Sequence, residues 1–103
     1  MKMQTDFGTY DVKFKVSRYA ADNSLAVSAW DPQEGPIATL TKCLDDKELA
    51  DNEAYIDANN CPWAPEFLAQ NGLAELTGSQ RPSGFCVYPQ VRFNLDALRK
   101  ELG

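Results

Sequence analysis

The sequence predicts an α+β fold: an antiparallel sheet of four or five strands, with an N-terminal three-strand meander, packed against two short helices. Three observations predict it. Apolar and polar residues alternate over residues 9–17, turn-forming residues separate the segments that follow, and two later segments carry apolar residues on one helical face. The 103 residues fit one globular domain, residues 1–103, because single domains cluster near ~100–150 residues.

The meander is predicted from three apolar segments. Residues 9–17 alternate throughout, residues 25–30 carry apolar side chains on one face, and residues 37–43 complete the three strands. The first connection contains an Asp-Asn pair, and residues 31–36 contain Pro and Gly, which tight turns favour. We therefore expect consecutive strands to pair as antiparallel neighbours.

The middle and later segments are less regular. Residues 44–54 are rich in acidic residues and predict a loop, residues 55–56 a short strand, and residues 78–84 a flexible turn. Residues 85–93 alternate again, but Pro89 cannot donate to a neighbouring strand. This last strand is therefore expected at a sheet edge or at a bulge.

Two helices are predicted from capping and stripe patterns. Residues 62–71 follow an Asn-Asn pair and end before Gly72, which favours the left-handed conformation of a helix end. Trp63, Phe67 and Leu68 form the apolar stripe of this helix. Residues 95–102 follow Asn94, a good N-cap, and carry a stripe of Leu95, Leu98 and Leu102. Each stripe is expected to pack on the sheet.

Histidine is absent from the sequence. Without imidazole there is no Ser-His-Asp or Cys-His catalytic pair and no Cys/His zinc site. The glycines also form no nucleotide-binding loop, because Gly78 and Gly84 do not fit the GxGxxG or P-loop spacing. We therefore expect no cofactor and no enzymatic activity.

Cysteine usage and hydropathy indicate the compartment. Cys43, Cys61 and Cys86 are odd in number, so they cannot form a closed disulfide framework, and we interpret them as structural thiols. No stretch approaches the ~20 apolar residues of a membrane span, and the first six residues turn polar at once. A cytoplasmic location without membrane contact is expected.

Aromatic residues offer a further candidate surface. Tyr10, Trp30, Trp63 and Tyr88 could form an exposed binding patch, although their spacing in strands and a helix favours core packing.

Negative charge concentrates between residues 44 and 75, where eight acids and one lysine sum to −7, while the remaining chain sums to +2. Such a field repels phosphates, so direct nucleic acid binding is not expected. Three interpretations remain: a solvated loop, a contact surface for a protein partner with a basic surface, and a metal site. The last lacks the Asp/Asn alternation and glycine of a calcium loop. The candidate binding residues are Asp45, Asp46, Glu48, Asp51, Glu53 and Asp57.

Together these exclusions favour a non-enzymatic protein-protein interaction domain with the acidic segment as its contact. The alternative is a small-molecule-binding or accessory enzyme domain that uses carboxylates, for which Asp57, Glu66 and Glu75 are the candidates.

Four segments resemble a known family: residues 35–41 (GPIATLT), 53–57 (EAYID), 72–74 (GLA) and 83–89 (SGFCVYP). The resemblance spans most of residues 7–93 and is to a domain-of-unknown-function family of small proteins from gut bacteria, often on conjugative elements. It implies a mobile-element setting and brings no catalytic residues. In that setting, an acidic protein is expected to inhibit host nucleic-acid-directed defence machinery by occupying a groove meant for phosphates.

Overall fold

The computed structural model describes residues 1–103 and contains nine strands and two helices. All paired strands are antiparallel and form three sheets, with orders β1-β2, β3-β4-β5 and β6-β7-β9-β8. The elements are β1 Lys2–Thr5, β2 Gly8–Asp11, β3 Lys13–Arg18, β4 Leu25–Asp31, β5 Gly35–Thr39, β6 Thr41–Lys42, β7 Glu53–Ile56, α1 Ala64–Gln70, β8 Ala74–Ser83, β9 Cys86–Phe93 and α2 Leu95–Arg99. The α+β class, the meander and the two short helices are confirmed, and the strands divide among three sheets.

An N-terminal hairpin precedes the meander. The predicted strand 9–17 divides at Val12 into β2 and β3, and the Val12 N–H donates to the Met1 carbonyl at 2.7 Å. The sequence did not predict β1. Met3 is the one fully buried side chain of this strand, and a single apolar residue creates no alternating pattern. This hairpin carries Phe7 at its turn.

The meander β3-β4-β5 follows the sequence pattern closely. Burial alternates along all seven residues of β4, and Asn23 takes φ 61° in the first turn, as its short polar side chain allows. The predicted third strand, residues 37–43, is divided at Leu40 into β5 and β6. The chain changes sheets at this residue, although the Leu40 N–H still donates to the Val27 carbonyl at 2.9 Å.

The predicted turn at residues 78–84 is wrong, because these residues belong almost entirely to β8. The hairpin of β8 and β9 extends beyond β7, so its outer residues have few burial partners and show no apolar alternation. A register shift between Leu76 and Gln80 forms a bulge, and Pro89 pairs with Gln80 at that point. The bulge predicted from Pro89 is therefore confirmed.

Both helices are shorter than predicted. In α1, Phe67 and Leu68 are buried, and Gly72 ends the helix region with φ 68°. Asn94 caps α2 by accepting from the Ala97 N–H at 3.1 Å, but α2 stops at Arg99. The predicted stripe is therefore incomplete, because Leu98 alone is buried while Leu102 bridges to Phe14 of β3. Neither helix has the length or apolar character that crossing a bilayer requires.

One hydrophobic core joins the three sheets and both helices. The Phe14 ring of β3 lies 6.3 Å from the Phe67 ring of α1, and Phe93 and Leu98 bring in the C-terminal sheet and α2. Every buried side-chain nitrogen and oxygen has a hydrogen-bond partner.

Candidate functional site

Three of the candidate acids, Asp45, Glu48 and Asp51, are exposed on the loop of residues 44–52. The structure confirms the predicted absence of helix and strand in this loop. Asp45 takes φ 54°, a left-handed conformation that Asp tolerates better than most residues. None of the three side chains forms an ion pair.

The Asp46 carboxylate is bound by other residues of the chain, unlike those of Asp45, Glu48 and Asp51. Its carboxylate accepts from the Tyr55 hydroxyl at 2.7 Å and from the Glu48 N–H at 3.0 Å, and lies 3.5 Å from the Arg81 guanidinium. The Tyr55 hydrogen bond contributes most to holding the pKa of Asp46 below its usual value. With 18% of its side chain exposed, Asp46 ties the loop to the β8–β9 hairpin and offers little to a partner.

Glu53 is also engaged within the chain. Its carboxylate accepts from the Ala50 N–H at 2.8 Å and lies 3.4 Å from Arg92, and only 16% of its side chain is exposed. Arg92 also pairs with Glu75 at 3.6 Å. Two of the six candidate acids therefore neutralise arginines of the C-terminal sheet.

The carboxylates of the enzyme alternative are not brought together. Asp57 lines a groove beside β5, Glu66 of α1 faces a separate polar depression, and Glu75 of β8 faces a third one. Glu66 accepts from Gln70 at 3.0 Å on its own helix. No three metal-ligating side chains cluster anywhere in the chain.

The groove at Asp57, of about 570 Å³, is bounded by the β1–β2 hairpin, β5 and the segment before α1. We call it the aromatic groove. Its volume lies in the range of ligand sites, about 300–1,000 Å³. None of its twelve lining residues is Lys or Arg. The lining side chains that define its chemistry are Phe7, Tyr10, Ile37, Trp63, Glu34 and Asp57.

Phe7 stands at the rim of the aromatic groove because of its turn. The Thr5 hydroxyl accepts from the Phe7 N–H at 3.0 Å and donates to the Gly8 carbonyl at 3.1 Å. Gly8 has φ 141°, which a side chain would disfavour. The turn thereby holds a phenylalanine that is 90% exposed beside the half-buried aromatic residues of the groove.

Glu34 is brought to the groove by the turn after β4. The Asp31 carboxylate accepts from the Gln33 N–H at 2.8 Å and the Glu34 N–H at 3.3 Å, and Gly35 continues the turn with φ 88°. Such a side-chain-to-backbone turn fixes the loop without using Glu34 itself. The Glu34 carboxylate stays exposed and outside any ion pair.

The floor of the aromatic groove is the segment from Asp57 to Trp63. Asp57 accepts from the Asn60 side chain at 2.9 Å, and its N–H donates to the Leu40 carbonyl at 2.8 Å. Trp63 meets the core residue Phe67 edge-on, with ring centroids 6.4 Å apart. The indole is therefore anchored on one side and borders the groove on the other.

The field in the aromatic groove is negative. Burial, together with the nearby Asp57 and Asp6 carboxylates, raises the pKa of the Cys61 thiol. Cys61 is buried, and its S–H points to the Thr39 carbonyl at 3.8 Å. The thiol thus stays protonated, in keeping with a structural role, and Asp57 has no cation to balance it.

Sequence reasoning found part of this site. Asp57 was a candidate from its charge, and Tyr10 and Trp63 were candidates for an exposed patch; both are half-buried at the groove. Phe7 and Glu34 were missed. Both lie in turns, where neither periodicity nor a charge cluster marks them, and the isolated Phe before Gly8 was the available signal.

The fold and site define a small antiparallel α+β domain with an open, aromatic, negatively charged groove. The family model for a domain of unknown function (DUF4313) matches residues 13–102. The chain belongs to this family. The comparison with curated proteins found no match, and neither did the comparison with solved structures.

Proposed function

We propose that this protein is a non-enzymatic protein-protein interaction domain that binds a partner with a basic surface, and that the aromatic groove is its contact. One observation carries the proposal: the groove places one exposed and two half-buried aromatic side chains beside two carboxylates that no cation of the chain neutralises. Aromatic residues are enriched at interfaces because they bury large apolar areas.

The loop of residues 44–52, here called the acidic loop, has a secondary role. Asp45, Glu48 and Asp51 are exposed and unpaired, so they contribute a long-range field that attracts a basic partner. Exposed charges of this kind raise association rates more than they stabilise the complex. Asp46 and Glu53 are left out of the contact, since both already bind arginines.

We also propose a mobile-element setting, a cytoplasmic location, and a partner among host nucleic-acid-directed defence proteins. The net charge of −5 and the negative groove support this partner, because a surface that binds phosphates is itself basic. The proposal predicts that nucleic acid and this protein compete for the partner. If both bind the partner at once, the inhibitor role is wrong.

Photo-cross-linking in the native host tests the contact directly. A benzoyl-phenylalanine at position 7 replaces an exposed aromatic at the groove rim, and the same residue at position 85 replaces another highly exposed aromatic at the tip of the β8–β9 hairpin. The two sites match in chemistry, are both highly exposed and differ in location. We expect position 7 to capture a protein through a basic segment and position 85 to capture none.

Cross-links from position 85 alone would move the contact to the β8–β9 hairpin and contradict the groove. The melting temperature of both labelled proteins should equal that of the unlabelled protein, which excludes capture by an unfolded chain.

A further inference from the structure

We infer that the aromatic groove holds one arginine side chain of the partner, with its guanidinium against Trp63 and paired with Asp57 or Glu34. This inference rests on the proposed function and names the chemical group that the groove selects. It is drawn from the aromatic and carboxylate side chains that share the lining.

The aromatic lining favours a cation over a neutral apolar group. The faces of Trp, Tyr and Phe rings attract cations, and Trp does so most strongly. Trp63 and Tyr10 are half-buried, and Phe7 is exposed beside them. Because no lysine or arginine of the chain lines the groove, these ring faces have no cation of their own.

The carboxylates favour guanidinium over ammonium. A guanidinium is planar, stacks on aromatic rings and can bind a carboxylate through two parallel hydrogen bonds. Asn60 orients the Asp57 carboxylate, because its side-chain amide donates to one oxygen at 2.9 Å and its backbone N–H to the other at 3.4 Å. Each oxygen keeps a second lone pair for a guanidinium. Asp57 and Trp63 lie in one turned segment and border the same groove, which offers a carboxylate and an indole to one bound group.

The field of the Asp57 carboxylate also reaches the protein interior. The raised pKa of the buried Cys61 thiol reflects burial first and then the Asp57 and Asp6 carboxylates. A bound cation would relieve this field. Conversely, a neutral apolar side chain would cover Asp57 without compensating its charge, which is costly.

Nuclear magnetic resonance with short peptides tests the inference without the natural partner. The probes are acetyl-Gly-Arg-Gly-amide, the same peptide with lysine, and the same peptide with citrulline, which has the shape of arginine without its charge. The readout is the indole N–H signal of Trp63, with the Trp30 signal, outside the aromatic groove, as an internal reference.

We expect a saturable shift of the Trp63 signal with the arginine peptide, with a dissociation constant of about 1 mM, and weaker binding of the lysine peptide. The citrulline peptide should shift neither indole signal, and no peptide should shift the Trp30 signal. The variants Trp63→Leu and Trp63→Phe lack the Trp63 indole, so their readout is the backbone N–H signal of Ile37 in the groove lining. Trp63→Leu should weaken arginine binding by about threefold or more, while Trp63→Phe retains most of it. The pair Glu34→Gln and Asp57→Asn should abolish it, and Asp45→Asn with Glu48→Gln should not.

Equal shifts with arginine and citrulline would overturn the inference, because apolar contact alone would then explain binding. Absence of any saturable shift would overturn it as well. If position 7 still cross-links a partner in either case, the protein-binding function stands and the arginine anchor alone is wrong.

Discussion

Replacing Asp46 with asparagine removes the negative charge from a carboxylate that three groups of the chain contact. Those groups are the Tyr55 hydroxyl, the Glu48 N–H and the Arg81 guanidinium. Hydrogen bonds to charged groups contribute about 1.5–3 kcal/mol each, and Asn retains part of this accepting capacity. We therefore expect Asp46→Asn to lower the free energy of unfolding by about 1–2 kcal/mol.

Asp45→Asn is the matched control. It removes the same charge one residue earlier from an exposed side chain, and Asn tolerates the left-handed φ of 54° as well as Asp does. Its effect should stay within about 0.5 kcal/mol. Thermal unfolding resolves the difference, because 1 kcal/mol shifts the melting temperature of a domain of this size by about 4–8 °C.

The pH dependence follows from the pKa of Asp46, which the Tyr55 hydrogen bond holds below its ordinary value of 3.8. A carboxylate with a lowered folded-state pKa stabilises the fold above its unfolded pKa and loses that effect as pH falls through the folded one. The gap between wild type and Asp46→Asn should therefore be full near pH 6 and shrink below about pH 4. Equal melting temperatures of the Asp46→Asn and Asp45→Asn proteins at pH 6 would refute this reasoning. A difference between wild type and Asp46→Asn that is as large at pH 2 as at pH 6 would refute it as well.

Three further outcomes are expected. Replacing Cys43, Cys61 and Cys86 with Ala should leave partner binding intact and lower the free energy of unfolding by about 1–3 kcal/mol, mostly at buried Cys61. In the folded protein, the Cys61 thiol should be the last of the three that iodoacetamide alkylates. Leu68→Ala, at a fully buried position of α1, should lower the unfolding free energy in urea by about 2–5 kcal/mol; a loss under 1 kcal/mol contradicts the packing. Phe85→Ser should change it by at most about 0.5 kcal/mol, since that side chain is fully exposed.

The predicted elements that the structure confirms are those whose side chains meet the core in a regular pattern. The β4 strand alternates along its whole length, and Gly72 marks the end of α1. The β1 and β8 strands escaped prediction for the opposite reason. One buried Met in β1 and a largely exposed β8 with an internal bulge give no usable period.

The candidate site shows the same limit. Charge density selected six acids, but tertiary contacts determine which of them are free, and Asp46 and Glu53 bind arginines from distant parts of the chain. The aromatic groove depends on turns that bring Phe7, Glu34 and Asp57 to one place from three separate segments. Such convergence follows from the sheet topology and cannot be read from the spacing of these residues.

The proposed function requires a basic partner to bind at the aromatic groove. Its most direct test is the affinity of the cross-linked partner, once purified, for two double variants that each remove two negative charges. Glu34→Gln with Asp57→Asn changes the groove, and Asp45→Asn with Glu48→Gln changes the acidic loop. Calorimetric titration should show a loss of about tenfold or more, about 1.4 kcal/mol, for the groove variant and less than about threefold for the loop variant. A loss confined to the loop variant, or equal losses for both, would contradict the claim.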